Sequence, residues 1–156
     1  RLITEFGATD LGSDLTRSTA EFDQHLLGWQ YWAYKNWHDP TTSAGSGVQG
    51  LFGNDADLSS AKTAKLQILE RTYPQFTAGT PTALSFDPAS GAFSYSYTPR
   101  AAGGPTQIYV PLALHYPKGY SVSVSGAQVT SAPGAALLTL QNQAGAVTVK
   151  ITLTAN

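Results

Sequence analysis

Cysteine and methionine are both absent from the 156 residues. Disulfides and thiolate metal sites are therefore excluded, while the compartment stays open. Charge is scarce as well, with 12% charged residues and a net charge of −1. No basic patch is available to neutralise phosphates, which argues against nucleic acid as a partner. No acidic or basic run marks a tail, and no apolar run approaches the roughly 18–20 residues of a membrane span. His25, His38 and His115 show no metal-ligand spacing, so neither metal nor cofactor is expected. What is plentiful is Ala, Gly, Ser, Thr and Tyr, a composition suited to a secreted or cell-surface bacterial protein. Arg1 is not an initiating residue, and the reading expects processing, proteolysis or trimming before it.

The chain changes character near Ala78-Gly79-Thr80-Pro81. Before it, strand and helix patterns alternate. Arg1 to Glu5 reads as a strand, and Asp14 caps a helix that runs to about His25, with Leu15, Thr19, Phe22 and Leu26 on one face. Leu27 to Tyr34 is almost continuously apolar, as in a strand buried on both faces. A Gly-rich loop from Asn36 to about Asp57 leads to a second helix, Ser59 to Thr72, with Ala61, Ala64 and Ile68 as its stripe. The order β-α-β-loop-α is the repeat of a parallel α/β fold, and the short strands suit a closed barrel. After the change only strands appear. Phe93, Tyr95 and Tyr97 alternate with Ala92, Ser94 and Ser96, and similar runs follow at 107–110, 120–124, 137–140 and 147–153. Gly and Pro turns separate them, the pattern of an antiparallel β-sandwich. The expected domains are 1–77, the C-terminal end of a (β/α)8 TIM barrel, and 78–156, a β-sandwich.

Two residues are candidates for chemistry, against the plainer readings of a solvated strand-end Glu and a core Trp. Glu5 closes the first strand, and Trp32 lies near the end of the second, 27 positions later. Side chains alternate along a strand. If Ile3 points into the barrel, Glu5 does so too, at the C-terminal rim where barrel enzymes keep their catalytic groups. Trp32 shares its face with Gly28 and Gln30, while Trp29 and Tyr31 face the helices. An indole stacks on the C–H face of a sugar ring, and a neighbouring carboxylate can attack the anomeric carbon. Retaining glycosidases use two carboxyl groups about 5–5.5 Å apart, and this segment offers one candidate. Asp10 is expected to cap or brace the loop after Glu5. The Phe93/Tyr95/Tyr97 stripe reads as sandwich core before glycan or lipid platform.

Thr4-Glu5-Phe6-Gly7-Ala8-Thr9-Asp10 followed by Gly28-Trp29-Gln30-Tyr31-Trp32-Ala33-Tyr34-Lys35 resembles the end of glycoside hydrolase family 5, and in particular its endoglycoceramidase branch. The linker-like Tyr73 to Pro81 and the segments 107–111 and 116–120 resemble that branch as well. The resemblance implies that Glu5 is the catalytic nucleophile and Trp32 the sugar platform. It makes Tyr34, Lys35 and Trp37 substrate-binding candidates, with His38 also bordering the cleft. It further implies a retaining endo-β-glycosidase that cleaves oligosaccharide from ceramide, with Leu51 and Phe52 as walls for the lipid. The acid/base Glu and the first six barrel strands would lie on an N-terminal companion, leaving the faces of Leu2, Ile3, Trp29 and Tyr31 exposed without it. The partners implied are that companion, a glycosphingolipid and a membrane surface. The alternatives are a β-glucanase or β-glycosidase of the same family, or a non-catalytic carbohydrate- or membrane-binding sandwich.

Overall fold

The computed structural model describes residues 1–36, 47–100, 103–146 and 148–156. Its contacts divide the chain into two units, Arg1–Leu69 and Glu70–Asn156.

In the first unit, β1 (Leu2–Gly7) and β2 (Gly28–Trp32) form a parallel pair connected through helix α1 (Gly12–Gln24). A parallel pair needs such a crossover, because a hairpin can only return the chain antiparallel. Asp14 does not cap α1: the N-cap is Leu11, whose amide donates to Thr9 Oγ1 at 3.0 Å. Asp14 sits instead in the first turn, where its charge complements the helix dipole. Leu15 and Thr19 are buried as expected. Leu26, read as the last residue of the apolar face, ends the helix instead. Its φ is +52°, and the amides of Leu26 and Leu27 reach back to Asp23 O and Phe22 O, the paired bonds of a Schellman motif. Helix α2 (Thr63–Leu69) is shorter than the expected 59–72 and is preceded by a single 3-10 turn at Leu58–Ser60. Its buried residue is Lys65, not an alanine of the expected stripe.

The second unit holds two four-stranded antiparallel sheets. One has the order β4 (Gly79–Phe86), β5 (Phe93–Pro99), β10 (Val149–Ala155), β7 (Tyr120–Ser125). The other has the order β3 (Tyr73–Phe76), β6 (Thr106–Tyr109), β9 (Leu137–Asn142), β8 (Ala127–Val129). One short helix, α3 (Leu112–His115), follows β6. Alternation places Phe93, Tyr95 and Tyr97 inward, opposite Leu153, Ile151 and Val149 of β10. Ile108, Leu138 and Leu140 supply the facing sheet. Each such side chain contributes about 1.5–3 kcal/mol by leaving water. The stripe is thus core, and it cannot serve as a glycan platform. Its phenols remain satisfied: Tyr97 donates to Asn142 Oδ1 at 2.7 Å and accepts from Thr106 Oγ1 at 2.9 Å. Tyr95 shares a 2.6 Å bond with Thr77 Oγ1. His115 is buried edge-on to Phe86, with its Nε2 2.8 Å from Glu70 O, a structural role.

The linker expected at 73–81 holds β3 and the start of β4, separated by Thr77 and Ala78. Residues 70–77 lie with the sandwich, since β3 pairs with β6. β4 was hidden by Gly79 and Pro81. It tolerates proline because it is an edge strand and because the register slips by one residue between Pro81 and Ala83.

Candidate active site

The site is built on the ends of β1 and β2. The register pairs Ile3 with Trp29 but Phe6 with Tyr31, so β1 holds one extra residue between them. This bulge overturns the expectation that Glu5 shares a face with Ile3. Ile3 lies across from Trp29, on the side where Phe6 packs edge-on against Trp29, Tyr31 and Phe22 at 5.0–5.8 Å. Alternation back from Phe6 puts Glu5 on the other side, with Gln30 and Trp32. Bulges re-aim side chains in this way, and they are enriched next to active sites. Glu5 is exposed and Trp32 half-buried. The aromatic packing also limits the exposed apolar face: Trp29, Tyr31 and Ile3 are half-buried, and only Leu2 is largely open, at 54%.

Gly7 ends the strand at φ +110°. A Cβ there would lie 2.2 Å from Cε2 of Tyr31, so both the conformation and the space demand glycine. Beyond it, the Ala8 amide bonds to Trp32 O at 3.0 Å, joining the two strand ends. The Trp32–Ala33 peptide is cis. The chain then runs beside a returning segment: Ala33 N donates to Gln49 O and Leu51 N to Tyr34 O. Asn36 fastens that return. Its Oδ1 accepts from Gly50 N at 2.9 Å, and its Nδ2 reaches Asp55 Oδ1 at 3.1 Å.

Tyr34 is 58% exposed and rests edge-on against Phe52 at 5.2 Å. Lys35 is exposed beside it. Phe52 is buried, so it supports the rim rather than forming an open lipid wall, and Leu51 is half-buried. Trp37 and His38 lie outside the described residues. The Trp32 Nε1 atom is buried, with no hydrogen-bond partner among the described residues. Among these residues no group of three His, Asp or Glu side chains is close enough to share a metal ion.

The chemically densest cluster was missed in the sequence. Asp10 lies in the loop after β1 and receives Lys62 Nζ at 2.9 Å on both carboxylate oxygens. Lys65 Nζ approaches the same carboxylate at 2.5 Å. Lys65 is only 4% exposed. It also donates to Tyr31 Oη at 2.9 Å, Val48 O at 2.8 Å and Gly50 O at 3.2 Å. Four oxygens thus surround a charge that could not otherwise be buried. Tyr31 in turn donates to Gln49 O at 2.7 Å. Desolvation, reinforced by the Asp10 charge and opposed by Lys62, pushes the Tyr31 phenol up to about 12, so it stays protonated as a donor. The sequence offers little to find it: Lys62 lies just before α2 and Lys65 within it, and nothing local points to Asp10 as their partner.

Burial alone would raise the Asp10 carboxyl, but hydrogen bonds and charge from Lys65 and Lys62 outweigh it and hold the group below its ordinary 3.8. A depressed carboxyl stabilises the fold above the unfolded value and loses that contribution as pH falls through the folded one. The stability difference between the parent and Asp10→Asn should therefore be constant at neutral pH and shrink only below about pH 4. Urea unfolding across that range measures it; a difference that disappeared already near pH 6 would contradict the assignment.

The sequence profile of the glycoside hydrolase family 5 C-terminal domain matches residues 71–154. The chain belongs to glycoside hydrolase family 5. It is similar to Endoglycoceramidase I from Rhodococcus hoagii (strain 103S), 43% identical over 151 residues, which are 96% of this chain and 27% of that protein. Among solved structures it resembles Endo-glycoceramidase II from Rhodococcus sp., captured as a lactosyl-enzyme intermediate, at TM-score 0.71 and 28% identity over 99% of this chain and 33% of that one. The ganglioside GM3 complex of that enzyme matches at TM-score 0.72 and 27% identity, covering 99% of this chain and 32% of that one. Sterylglucosidase 1 from Cryptococcus neoformans, at TM-score 0.71 and 20% identity over 93% of this chain and 24% of that one, shares the fold. The family 5 chain thus spans about a third or less of these relatives.

Proposed function

We propose that this family 5 chain is the C-terminal part of a retaining endo-β-glycosidase that releases oligosaccharide from ceramide in glycosphingolipids. The observation that carries the reading is the bulged parallel pair, which sends Glu5 and Trp32 to one side of the two strand ends. The names of the relatives support the glycolipid substrate. In this reading Glu5 attacks the anomeric carbon, the sugar–oxygen bond to ceramide breaks, and a glycosyl ester forms on Glu5. A second carboxylic acid protonates the departing oxygen and then, as a base, draws the water that hydrolyses the ester. That second group belongs to an N-terminal companion segment. Trp32 supplies the stacking surface, and Tyr34, Lys35 and Trp37 offer polar and aromatic contacts to the sugar. A secreted or cell-surface location suits a membrane-borne substrate.

A 2-deoxy-2-fluoroglycoside with a good leaving group tests the reading in the full-length enzyme. The fluorine slows breakdown of the ester more than it prevents capture, so the sugar remains attached. Its mass is expected on the tryptic peptide Leu2–Arg17, localised to Glu5. A label on any other residue rejects the nucleophile assignment. Parallel assays with a glycosphingolipid, a β-glucan and a simple β-glycoside separate the lipid reading from its family alternatives.

A further inference from the structure

The ammonium of Lys65 touches every segment that positions the proposed site. Asp10 ties it to the loop five residues after Glu5. Tyr31 Oη ties it to the residue just before Trp32. The carbonyls of Val48 and Gly50 tie it to the segment whose Gln49 O accepts from the Ala33 amide, just after Trp32. Tyr31 closes the same ring by donating to Gln49 O. Trp32 is therefore bracketed on both sides by groups that meet at one buried nitrogen, and that nitrogen is anchored to the strand end bearing Glu5.

We infer that Lys65, held by Asp10, is a positioning residue that sets the indole of Trp32 relative to Glu5. The inference rests on the roles proposed above for those two residues. An aliphatic residue at 65 would leave Asp10 with Lys62 alone and remove a donor from Tyr31 Oη and two carbonyls. A helix-borne lysine suits the task, because its backbone is fixed by α2 while its stem spans to both strands. The Lys62 ammonium shares Asp10 but, among the described residues, reaches only Gly47 O in the returning segment. It therefore braces the carboxylate rather than the residues flanking Trp32. The reaction is sensitive to such placement, since displacement of a positioned group by about 1 Å costs on the order of a hundredfold in rate.

A mutant cycle in the full-length enzyme tests this. Asp10→Asn and Lys65→Met are each combined with Trp32→Phe, and kcat and KM are measured on a glycosphingolipid. Each single change at Asp10 or Lys65 should lower kcat by about 10- to 100-fold with little change in KM. In the Trp32→Phe background, the same changes should cost little more, because the group they position is already gone. Losses that multiply in full in that background overturn the inference, as does an unchanged kcat in folded Asp10→Asn enzyme. If Trp32→Phe alone leaves turnover intact, both the inference and the platform role fall; full multiplication with an impaired Trp32→Phe overturns the inference alone. Should Lys65→Met not fold, Asp10→Asn decides the matter, since that side chain is 43% exposed and asparagine keeps its shape while losing the charge and one of the two acceptor oxygens that hold the lysines.

Discussion

Glu5→Gln in the full-length enzyme is expected to lower kcat on the order of ten-thousandfold or more, the scale seen when a covalent nucleophile is removed. Glutamine keeps the shape and hydrogen-bonding capacity of the side chain, yet its amide cannot displace the aglycone. Glu5 is exposed at a strand end, so the substitution should leave folding almost untouched. Calorimetry should find the product oligosaccharide still binding. Retained turnover would remove Glu5 from the mechanism. The neighbouring carboxylates are poor substitutes. Asp10 is neutralised by two lysines, which makes it a weak nucleophile, and Asp14 lies in the first turn of α1.

Gly7→Ala should be the most damaging small change near the site. Two costs coincide. The backbone φ of +110° is foreign to alanine, a strain of about 1–3 kcal/mol. The new methyl would also fall 2.2 Å from Tyr31 Cε2 and 2.7 Å from Cδ2. The ring cannot simply swing aside, because its hydroxyl is held by Gln49 O and Lys65. Overpacking of this kind adds about 1–3 kcal/mol. A combined loss of about 2–6 kcal/mol corresponds to roughly 30- to 25,000-fold faster exchange at amides that depend on this joint. The Ala8 amide, bonded to Trp32 O, is the one to follow by hydrogen exchange. Unchanged protection there would show that the strand ends tolerate a side chain.

Much of the fold could be read from pattern alone. The β5 alternation was visible because serines and aromatic residues differ so sharply in hydrophobicity. The parallel β1–β2 pair followed from a helix lying between two apolar runs. Other features had no local signal. The extra residue in β1 is invisible to a period-two count, so counting from Ile3 gave Glu5 the wrong neighbour. Helix α2 stops at Leu69 because the next residues serve the sandwich: Glu70 O meets His115 Nε2, and Thr72 Oγ1 meets the Tyr116 hydroxyl. Propensity cannot anticipate those partners. A lysine ordinarily reads as a solvated residue, and only the fold brings Asp10 to Lys65 across 55 positions. Among the candidate residues, Glu5, Trp32, Tyr34 and Lys35 entered through the family resemblance, while the Asp10–Lys65–Tyr31 cluster beside them had no signal in the sequence.

The prolines of the sandwich have a consequence for how this unit behaves among other copies of itself. A sheet border with a full row of free donors and acceptors recruits further strands, and that is how β proteins begin to aggregate. Here β3 carries Pro74 and β4 carries Pro81, each missing a donor on a border strand, and both strands break register near the proline. At the far side of the second sheet, β8 is only three residues long. Three of the four borders therefore make poor templates, and the unit should stay monomeric at concentrations where an uninterrupted edge would seed fibres.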